Sequence, residues 1–471
     1  MSSRRVQVAK YVIADVAGAA LAWTLFFLYR KAVLEPMKYG VEVPIDLDEN
    51  YFKGLFLVPL FWFGLYTAIG GYRDVFRRFR TKELGQTLLV TTIGVLVIFF
   101  VLLLDDKVPS PSYHYRSFLA LFVLHFSITF PLRFLITSAT VRKVHQRRIG
   151  FNTVLVGGNE RALAIYQEIE AMPKSPGNRF VGFVNVNGGD QQLAGTLPRL
   201  GKWHELRQVI PQHGVEEAII AVDSTEHEHM NRIMNELEGT GVRIKVIPDM
   251  YDILSGSVKM TSIFGTPLIE VNPEIMPAWQ FSVKRVLDIV VSTIALLVLT
   301  PMLLTIAVLV KFSGPGPIFF TQERIGKHGK PFRIVKFRSM VSNAEQDGPQ
   351  LSSANDPRIT PIGRWLRRTR MDELPQFWNV LKGEMSLVGP RPERQHYIDA
   401  ITEVAPHYRH LNKVRPGITS WGQVKFGYAE NIDQMVRRLK YDILYIENMS
   451  LAVDLKILAY TVIIILKGDG K

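Results

Sequence analysis

The 471-residue sequence contains no cysteine. This absence excludes disulfide bonds, a thiolate nucleophile, cysteine-ligated zinc and iron–sulfur clusters. The sequence also has no Gly-x-x-x-x-Gly-Lys-Ser/Thr motif, so it does not predict a P-loop ATPase. Charged residues make up 21% of the chain and hydrophobic residues 47%. That balance is too charged for a membrane bundle alone and indicates membrane segments combined with soluble parts.

Charge is unevenly distributed along the chain. The net charge is +13, but residues 1–150 and 281–471 are basic whereas residues 151–280 are acidic. The acidic middle is typical of an ordinary soluble domain. The basic ends are suited to anionic lipid, phosphorylated ligands or nucleic acid. The pattern therefore predicts three modules.

Four long apolar runs fill the first 140 residues: Tyr11–Tyr29, Gly54–Tyr72, Leu84–Leu104 and Ser117–Ile136. Each approaches the ~20 residues that a helix needs to cross ~30 Å of hydrocarbon. Lys and Arg are concentrated before the first run, between the second and third, and after the fourth. The positive-inside rule then places the N-terminus and everything after residue 140 in the cytoplasm. Residues 1–140 are predicted to form a bundle of four transmembrane helices.

Two features of these runs leave alternatives open. The first run is rich in small residues, so a cleaved signal peptide is the alternative to a permanent helix. Asp15 and Arg133 interrupt the first and last runs. They are interpreted either as partners inside the bundle or as side chains that snorkel from near a helix end.

Residues 141–272 alternate short apolar strands with helical patterns, which predicts a Rossmann-like α/β domain with a parallel sheet. The turn Gly157-Gly158-Asn159 lacks the G-x-G-x-x-G spacing that brings backbone against a pyrophosphate. No tyrosine is followed four residues later by lysine, the pair used by short-chain sugar-modifying dehydrogenases. A scaffold or regulatory domain is favoured, with a dinucleotide site as the alternative. Strands are predicted at Thr153–Val156, Val181–Val186, Glu217–Val222 and Val242–Ile247.

A 22-residue uncharged run, Ile289–Val310, opens the third module, residues 273–471. Lys284 and Arg285 precede it and further cations follow it, so both ends are predicted to face the cytoplasm. Pro301 lies in mid-run, where proline removes a helix hydrogen bond and bends the axis. These features predict a re-entrant helix near residues 284–311. A fifth span, which would place residues 311–471 outside, is the alternative.

An acidic pair, Asp372 and Glu373, follows a basic helix that is predicted over Ile362–Arg370. Asp372 is predicted to cap the next helix, with Pro375 in its first turn. Carboxylates in this setting are ionised, and the same setting binds phosphate. An ionised aspartate can attack phosphorus while a neighbouring glutamate holds Mg²⁺. A structural cap with salt bridges remains an equal alternative from these residues alone.

Further motifs surround this pair in a fixed order. They are Lys284-Arg285-x-x-Asp288, Phe319-x-x-Gln322-x-Arg324-x-Gly326, Lys336-Phe337-Arg338-Ser339-Met340, Asp372-Glu373-Leu374-Pro375-Gln376, Gly389-Pro390-Arg391-Pro392 and Val414-Arg415-Pro416-Gly417-Ile418-Thr419. With them, the region from Phe281 to Lys467 closely resembles the bacterial sugar transferase family, the monotopic phosphoglycosyl transferases. The whole chain resembles the long form of this family, the polyprenyl-phosphate hexose-1-phosphate transferases.

The resemblance implies a role for each matching residue. Asp372 matches the nucleophile and Glu373 the Mg²⁺ ligand. A set of five cations matches the groups that bind substrate phosphates: Lys336, Arg338, Arg367, Arg391 and Arg415. A second set matches a cluster at the membrane interface and the helix bend: Lys284, Arg285, Asp288 and Pro301.

The resemblance also implies the architecture and the reaction. The fold class is a mixed membrane protein with a four-helix bundle, a Rossmann-like middle domain and a monotopic α+β catalytic domain. We expect Asp372 to attack a UDP-hexose, most simply UDP-glucose or UDP-galactose, with release of UMP. Polyprenyl (undecaprenyl) phosphate then accepts the hexose-1-phosphate. This step begins repeat-unit synthesis for exopolysaccharide, capsule or O-antigen.

Partners and location follow from the same resemblance. We expect a multi-pass protein of the bacterial inner membrane, with its catalytic domain on the cytoplasmic face and contact with the lipid bilayer. A homodimer is suggested, and no nucleic acid partner is expected. Residues 441–466 are predicted to form amphipathic helices on the leaflet, or alternatively a buried core helix. Two other functions stay open: an NAD-dependent, membrane-bound nucleotide-sugar modifying enzyme and a non-enzymatic membrane assembly protein.

Overall fold

The computed structural model describes residues 2–103, 111–186, 192–222, 227–247, 268–271, 275–342, 344, 356–427, 429 and 431–467. The chain forms two compact units, one mainly of residues 1–151 and the other mainly of residues 152–471. The second unit therefore contains both the sheet of the middle region and the module after residue 273. The division into three domains at residues 140 and 272 stays a prediction.

The first unit is built from long apolar helices. All four predicted runs fall largely within them, and each helix is long and apolar enough to cross a membrane. The helices pack around a buried aromatic cluster that includes Phe26, Trp62 and Tyr66. Their bounds are α1 (Ser2–Tyr29), α2 (Glu35–Tyr39, after a π-helical turn), α3 (Glu49–Ala68), α4 (Arg80–Ile98, followed by a π-helical turn) and α5 (Pro111–His145).

A buried ion network joins three of these helices. Arg133 of α5 donates to Asp15 of α1 at 2.6 Å and to Glu83 of α4 at 2.5 Å, and all three side chains are fully buried. Arg78 donates to the second oxygen of Glu83 at 3.0 Å. Asp15 and Arg133 are thus partners inside the helix packing and do not snorkel. A charge is tolerated there because it is paired and hydrogen-bonded.

A six-stranded sheet forms the first part of the second unit. Its order is β3-β2-β1-β4-β5-β6, and the pairing is parallel in β2–β3, β1–β4 and β4–β5 but antiparallel in β5–β6. The Rossmann-like prediction and its four strands are confirmed, whereas the polar strand β3 and the antiparallel edge strand β6 were not predicted. The elements are β1 (Phe151–Val156), α6 (Glu160–Ala171), β2 (Asn178–Asn185), β3 (Arg199–Lys202), α7 (Leu206–His213), β4 (Glu217–Ile220), α8 (His227–Leu237), β5 (Arg243–Val246) and β6 (Ile269–Val271).

The remaining module begins with one long helix, α9 (Ala278–Phe312), which contains Pro301 and is also apolar enough to cross a membrane. Helices and two small sheets follow it: β7 pairs antiparallel with β8, and β9 pairs parallel with β10. Their bounds are β7 (Phe319–Ile325), β8 (Pro331–Phe337), α10 (Pro361–Arg368), α11 (Gln376–Lys382), β9 (Ser386–Val388), α12 (Gln395–Val404), β10 (Gly417–Thr419), α13 (Trp421–Phe426), α14 (Ile432–Glu447) and α15 (Leu451–Lys467).

The last two helices differ in burial, and this difference bears on the two alternatives for residues 441–466. Helix α14 is a core helix, since Leu439, Tyr445 and Ile446 are buried in the main cluster of this module. Helix α15 exposes Leu455 and Val462 on its outer face. The core interpretation therefore holds for the first helix, of which Leu444 is nevertheless exposed, and the second has exposed apolar residues of the kind expected at a lipid leaflet.

Candidate active site

The acidic pair lies in a single 3₁₀ turn, Met371–Glu373, directly before α11. Asp372 does not cap a helix as predicted, because the residue before the turn is Arg370 and the residue before α11 is Pro375. Arg370 adopts a left-handed conformation with φ +58°. The chain therefore bends sharply in front of the pair, and Asp372 and Glu373 are both buried.

Three cations surround the Glu373 carboxylate. Lys336 Nζ lies 2.8 Å from Oε1, and Arg391 also approaches Oε1, at 3.7 Å. Arg370 approaches the other oxygen, Oε2, at 3.7 Å. Lys336 comes from the end of β8, and Arg391 comes from the loop after β9. The sequence analysis predicted Lys336 and Arg391 at this site but missed Arg370, whose only signal was its place in a run of arginines.

The pKa values of the two carboxyl groups are shifted in opposite directions. Burial and the negative charge of Glu373 raise the pKa of Asp372 to about 6, against the opposing effect of Lys336 and Arg367. Burial also disfavours the charged form of Glu373, but Lys336, Arg391 and Arg370 outweigh it and hold the pKa of this carboxyl well below its usual range. Two neighbouring carboxyl groups whose pKa values are pushed apart in this way are suited to different chemical roles.

One carboxylate oxygen of Asp372 has no hydrogen-bond partner among the described residues. Its Oδ1 is buried and accepts no hydrogen bond from any side chain or backbone group in the described part of the chain. A buried acceptor without a partner is costly, so such atoms cluster at sites that receive a ligand. Arg367 of α10 lies close enough to act on Asp372 electrostatically and donates from Nε to Ser339 Oγ at 2.9 Å.

Arg338 contacts backbone carbonyls. Its guanidinium donates to the carbonyl oxygens of Val310, Gly314 and Pro315, at 2.6–2.8 Å. These carbonyls lie at the end of α9, so Arg338 fastens that end of the helix to β8. Carbonyl oxygens at a helix C-terminus carry partial negative charge and accept hydrogen bonds from a guanidinium. The phosphate contact expected from the motif stays a prediction.

The start of α9 is fastened in the same way. Lys284 donates to Val388 O at 2.9 Å and to Asp454 Oδ2 at 2.6 Å. Arg285 donates to the last carbonyls of α11, those of Val380 and Leu381, at 2.7 and 2.9 Å. The predicted interface cluster is thus largely buried and holds the two elements, α11 and β9, that carry the acidic pair and the Arg391 loop.

Two other predicted residues belong to this second cluster. Asp288 accepts from Ser386 Oγ at 3.1 Å and from Leu387 N at 3.0 Å. Arg415 is half-buried, and burial together with the nearby charge of Arg285 lowers its pKa, while Asp288 opposes the shift. Arg415 therefore lies near the start of α9. Sequence reasoning missed Asp454, although a lone acid in an apolar helix is a recognisable signal.

The carboxylates suit Mg²⁺ only in part. Within the described residues, no group of three or more histidine or acidic side chains is arranged to hold a metal ion. Mg²⁺ is commonly bound through one or two carboxylates together with substrate phosphates and water. The unpartnered Asp372 Oδ1 and the adjacent Glu373 carboxylate fit that kind of site.

In the turn Gly157-Gly158-Asn159, the side chain of Asn159 bonds to backbone groups of the protein itself. Asn159 Oδ1 accepts from Ala162 N at 2.9 Å and so caps α6, while its Nδ2 donates to Ala221 O at 2.9 Å. Ala221 follows β4, so this bridge crosses the point where a dinucleotide approaches a Rossmann sheet. The geometry favours the scaffold interpretation of this domain.

Comparison with known proteins finds two matching family models. Residues 279–468 match the family model described as bacterial sugar transferase, and residues 67–248 match the one described as CoA-binding domain. The chain is 30% identical over 436 residues to the "UDP-glucose:undecaprenyl-phosphate glucose-1-phosphate transferase" of Klebsiella pneumoniae, covering 90% of this chain and 91% of that one.

Two further relatives differ in coverage. An "uncharacterized sugar transferase" of Haemophilus influenzae is 30% identical over 477 residues, 96% of each chain. The "UDP-N-acetylgalactosamine-undecaprenyl-phosphate N-acetylgalactosaminephosphotransferase" of Aeromonas hydrophila is 42% identical over 224 residues, 48% of this chain, and the match spans only 52% of that protein.

The long apolar helices and the mixed α/β sheet are compatible with a membrane protein that has an α/β portion. The chain belongs to the bacterial sugar transferase family.

Proposed function

We propose that this chain transfers hexose-1-phosphate from a UDP-hexose to polyprenyl phosphate and so initiates repeat-unit synthesis of a surface polysaccharide. The observation that carries the proposal is the buried pair Asp372 and Glu373, of which one titrates near pH 6 and the other is surrounded by cations. The names of the Klebsiella and Aeromonas relatives support transfer to undecaprenyl phosphate. UDP-glucose or UDP-galactose is the proposed donor, and the relative matched over its whole length favours glucose.

The proposed reaction consists of two displacements at one phosphorus atom. A carboxylate oxygen of Asp372 attacks the β-phosphorus of the donor, the bond to the bridging oxygen breaks, and UMP leaves with that electron pair. A sugar-phosphoryl aspartate remains. An oxygen of polyprenyl phosphate then attacks the same phosphorus, and Asp372 leaves as a carboxylate. The products are UMP and polyprenyl-diphosphate-hexose, with no oxidation or reduction.

The chain's own side chains supply orientation and charge for these steps. Lys336 and Arg391 lie beside Glu373 and are the proposed contacts to the donor diphosphate, and Arg367 acts on Asp372. Glu373 is the proposed ligand of Mg²⁺, which when bound would offset negative charge on the phosphates. Asp372 is unpartnered at Oδ1, so the attacking oxygen need not break an existing hydrogen bond.

We also propose that α9 is re-entrant and that the site faces the cytoplasm at the inner membrane. Both ends of α9 are fastened to the same module, through Lys284 and Arg285 at one end and Arg338 at the other. A helix that enters and leaves on one side brings its ends back to one module, whereas a straight span separates them by the ~30 Å membrane. This arrangement keeps the site at the depth of a lipid phosphate.

The test is the nucleotide released when purified full-length protein, Mg²⁺ and polyprenyl phosphate meet a panel of UDP-sugars. We expect UMP, its loss in Asp372→Asn and its retention in Asp433→Asn, a matched change at an exposed position of α14. A donor labelled at the β-phosphorus should leave label on the protein when the acceptor is omitted. Release of UDP would contradict the proposal, because the sugar would then have moved without its phosphate.

A further inference from the structure

We propose that Arg370 is a donor-binding residue whose guanidinium contacts the diphosphate of the nucleotide sugar. The inference rests on the proposed function and adds a residue that the family motifs did not single out. Four observations support it: the division of cations around Glu373, their relative exposure, the charge of the site and the backbone at Arg370.

The Glu373 carboxylate is shared unequally among its cations. Lys336 and Arg391 both approach Oε1, whereas Arg370 approaches Oε2. Arg370 therefore approaches a different oxygen of the carboxylate from the two predicted phosphate-binding cations. An anionic ligand beside Glu373 has positive charge near it from both sets of cations.

Arg370 is also the most accessible of the three. Its side chain is 22% exposed, compared with 16% for Lys336 and 12% for Arg391. This exposure places the Arg370 side chain where a ligand that arrives from solvent can reach it.

The side chains of the site carry more positive than negative charge. Lys336, Arg370 and Arg391 surround Glu373, and Arg367 acts on Asp372, so four cations face two carboxylates. The side chains alone therefore carry an excess of two positive charges, which favours an anionic ligand such as the diphosphate of a nucleotide sugar. Guanidinium groups bind such oxygens through paired, charge-assisted hydrogen bonds.

The backbone at Arg370 is unusual for an arginine. At φ +58° and ψ +15° it occupies the left-handed region that glycine and asparagine enter most readily. Its carbonyl accepts from Glu373 N at 3.2 Å and so closes the turn that bears the acidic pair. Glycine would make this turn with less strain, so a glycine at this position removes the side chain while keeping the turn. This contrast gives a direct test.

The experiment compares Arg370→Gly, Arg370→Ala and Arg370→Lys in the full-length protein, with Arg368→Ala as a matched control at an exposed arginine of α10. Calorimetry measures the Kd for UDP, and UMP release measures KM and kcat for the donor. We expect Arg370→Gly and Arg370→Ala to raise Kd and KM by about tenfold or more, the loss of one charge-assisted hydrogen bond, with a smaller effect on kcat. Arg370→Lys should recover part of the loss, and Arg368→Ala should match the native protein.

Three results would overturn the proposal. Native behaviour of Arg370→Gly would mean that only the turn conformation matters. An unchanged Kd for UDP in every variant would remove the ligand contact. A fall in kcat without a change in Kd or KM would make Arg370 a positioning residue. Failure of the native protein to release UMP would instead reject the proposed function, while UDP binding would still report on Arg370.

Discussion

Lys284, at the start of the long helix α9, donates a 2.6 Å hydrogen bond to Asp454, which lies 170 residues further along the chain in α15. Tyr445 donates to the other oxygen of Asp454 at 2.7 Å, and Lys284 also donates to Val388 O. Val388 ends β9, directly before the Gly389–Pro392 loop that presents Arg391. One buried ion pair thus connects an apolar helix to a loop of the active site.

Breaking this pair should impair both stability and catalysis. In Asp454→Asn, Lys284 remains buried without its counterion, which costs about 3–5 kcal/mol in comparable pairs. We expect a lower unfolding temperature and a reduced kcat, because the Arg391 loop loses its support. Thermal unfolding and UMP release measure the two effects. The exposed change Asp433→Asn is the control, and equal behaviour of the two variants would refute the coupling.

The activity should have an acidic limb set by Asp372. Its pKa is raised to about 6, and only the ionised form can attack phosphorus. Lowering the pH through 6 protonates the nucleophile, so kcat/KM should fall about tenfold per pH unit below this value and level off above it. A pH profile of UMP release measures the limb. A limb near pH 4 would show that Asp372 behaves as an ordinary exposed carboxyl.

Replacement of Arg338 should affect the fold and not the donor. Arg338→Ala removes the donor shared by the carbonyls of Val310, Gly314 and Pro315. The bond to Val310 is buried, and a buried group left without its partner costs about 1–3 kcal/mol. We expect a lower unfolding temperature with a Kd for UDP within about twofold of native, a tolerance smaller than one hydrogen bond. Arg333→Ala, on an exposed position of the same strand, is the control. A large rise in Kd would restore the phosphate role implied by the motif.

A histidine joins the sheet to the catalytic module within the second unit. His410 Nδ1 lies 2.8 Å from Glu238, which follows α8, and Nε2 lies 2.7 Å from Glu447 of α14. Burial alone would lower the pKa of His410, but its contacts with both glutamates more than offset this effect and raise it. The protonated form therefore contributes stability that is complete below the unfolded pKa, about 6.5, and is lost as the pH rises through the higher folded value.

The prediction concerns the pH dependence of unfolding. The difference in unfolding temperature between the native protein and His410→Gln should be largest below about pH 6.5 and should shrink as the pH rises. His407→Gln, an exposed position in the same 3₁₀ segment, is the matched control. A difference that grows with pH would mean that His410 acts in its neutral form.

Sequence patterns predicted the elements with strong apolar periodicity. The strands β1, β2, β4 and β5 were predicted because their apolar residues occur in short runs, as at Val154–Val156, or in alternation with polar residues, as in β5. Strand β3 was not predicted because Arg199–Lys202 has two charged ends and no buried face. It forms a strand because it pairs with a neighbouring strand, and its own residues give little indication of it.

The limits at the site have a similar origin. Asp372 and Glu373 could be found because adjacent acids among arginines are uncommon, but the 3₁₀ turn could not, since it depends on the left-handed Arg370. The carbonyl contacts of Arg338 could not be predicted, because a cation in a motif does not show whether its partner is a phosphate or a carbonyl. The carbonyls that bind Arg338 lie at the end of α9, which is not adjacent to Arg338 in the sequence.

The two fastened ends of α9 have a thermodynamic consequence. Because Lys284, Arg285 and Arg338 bind elements on either side of the acidic pair, partitioning of the helix into lipid and ordering of the catalytic centre are linked equilibria. A bilayer whose thickness or surface charge shifts the first equilibrium shifts the second as well, by no more than the free energy that couples them. The lipid is then an effector of the enzyme as well as the solvent of its acceptor.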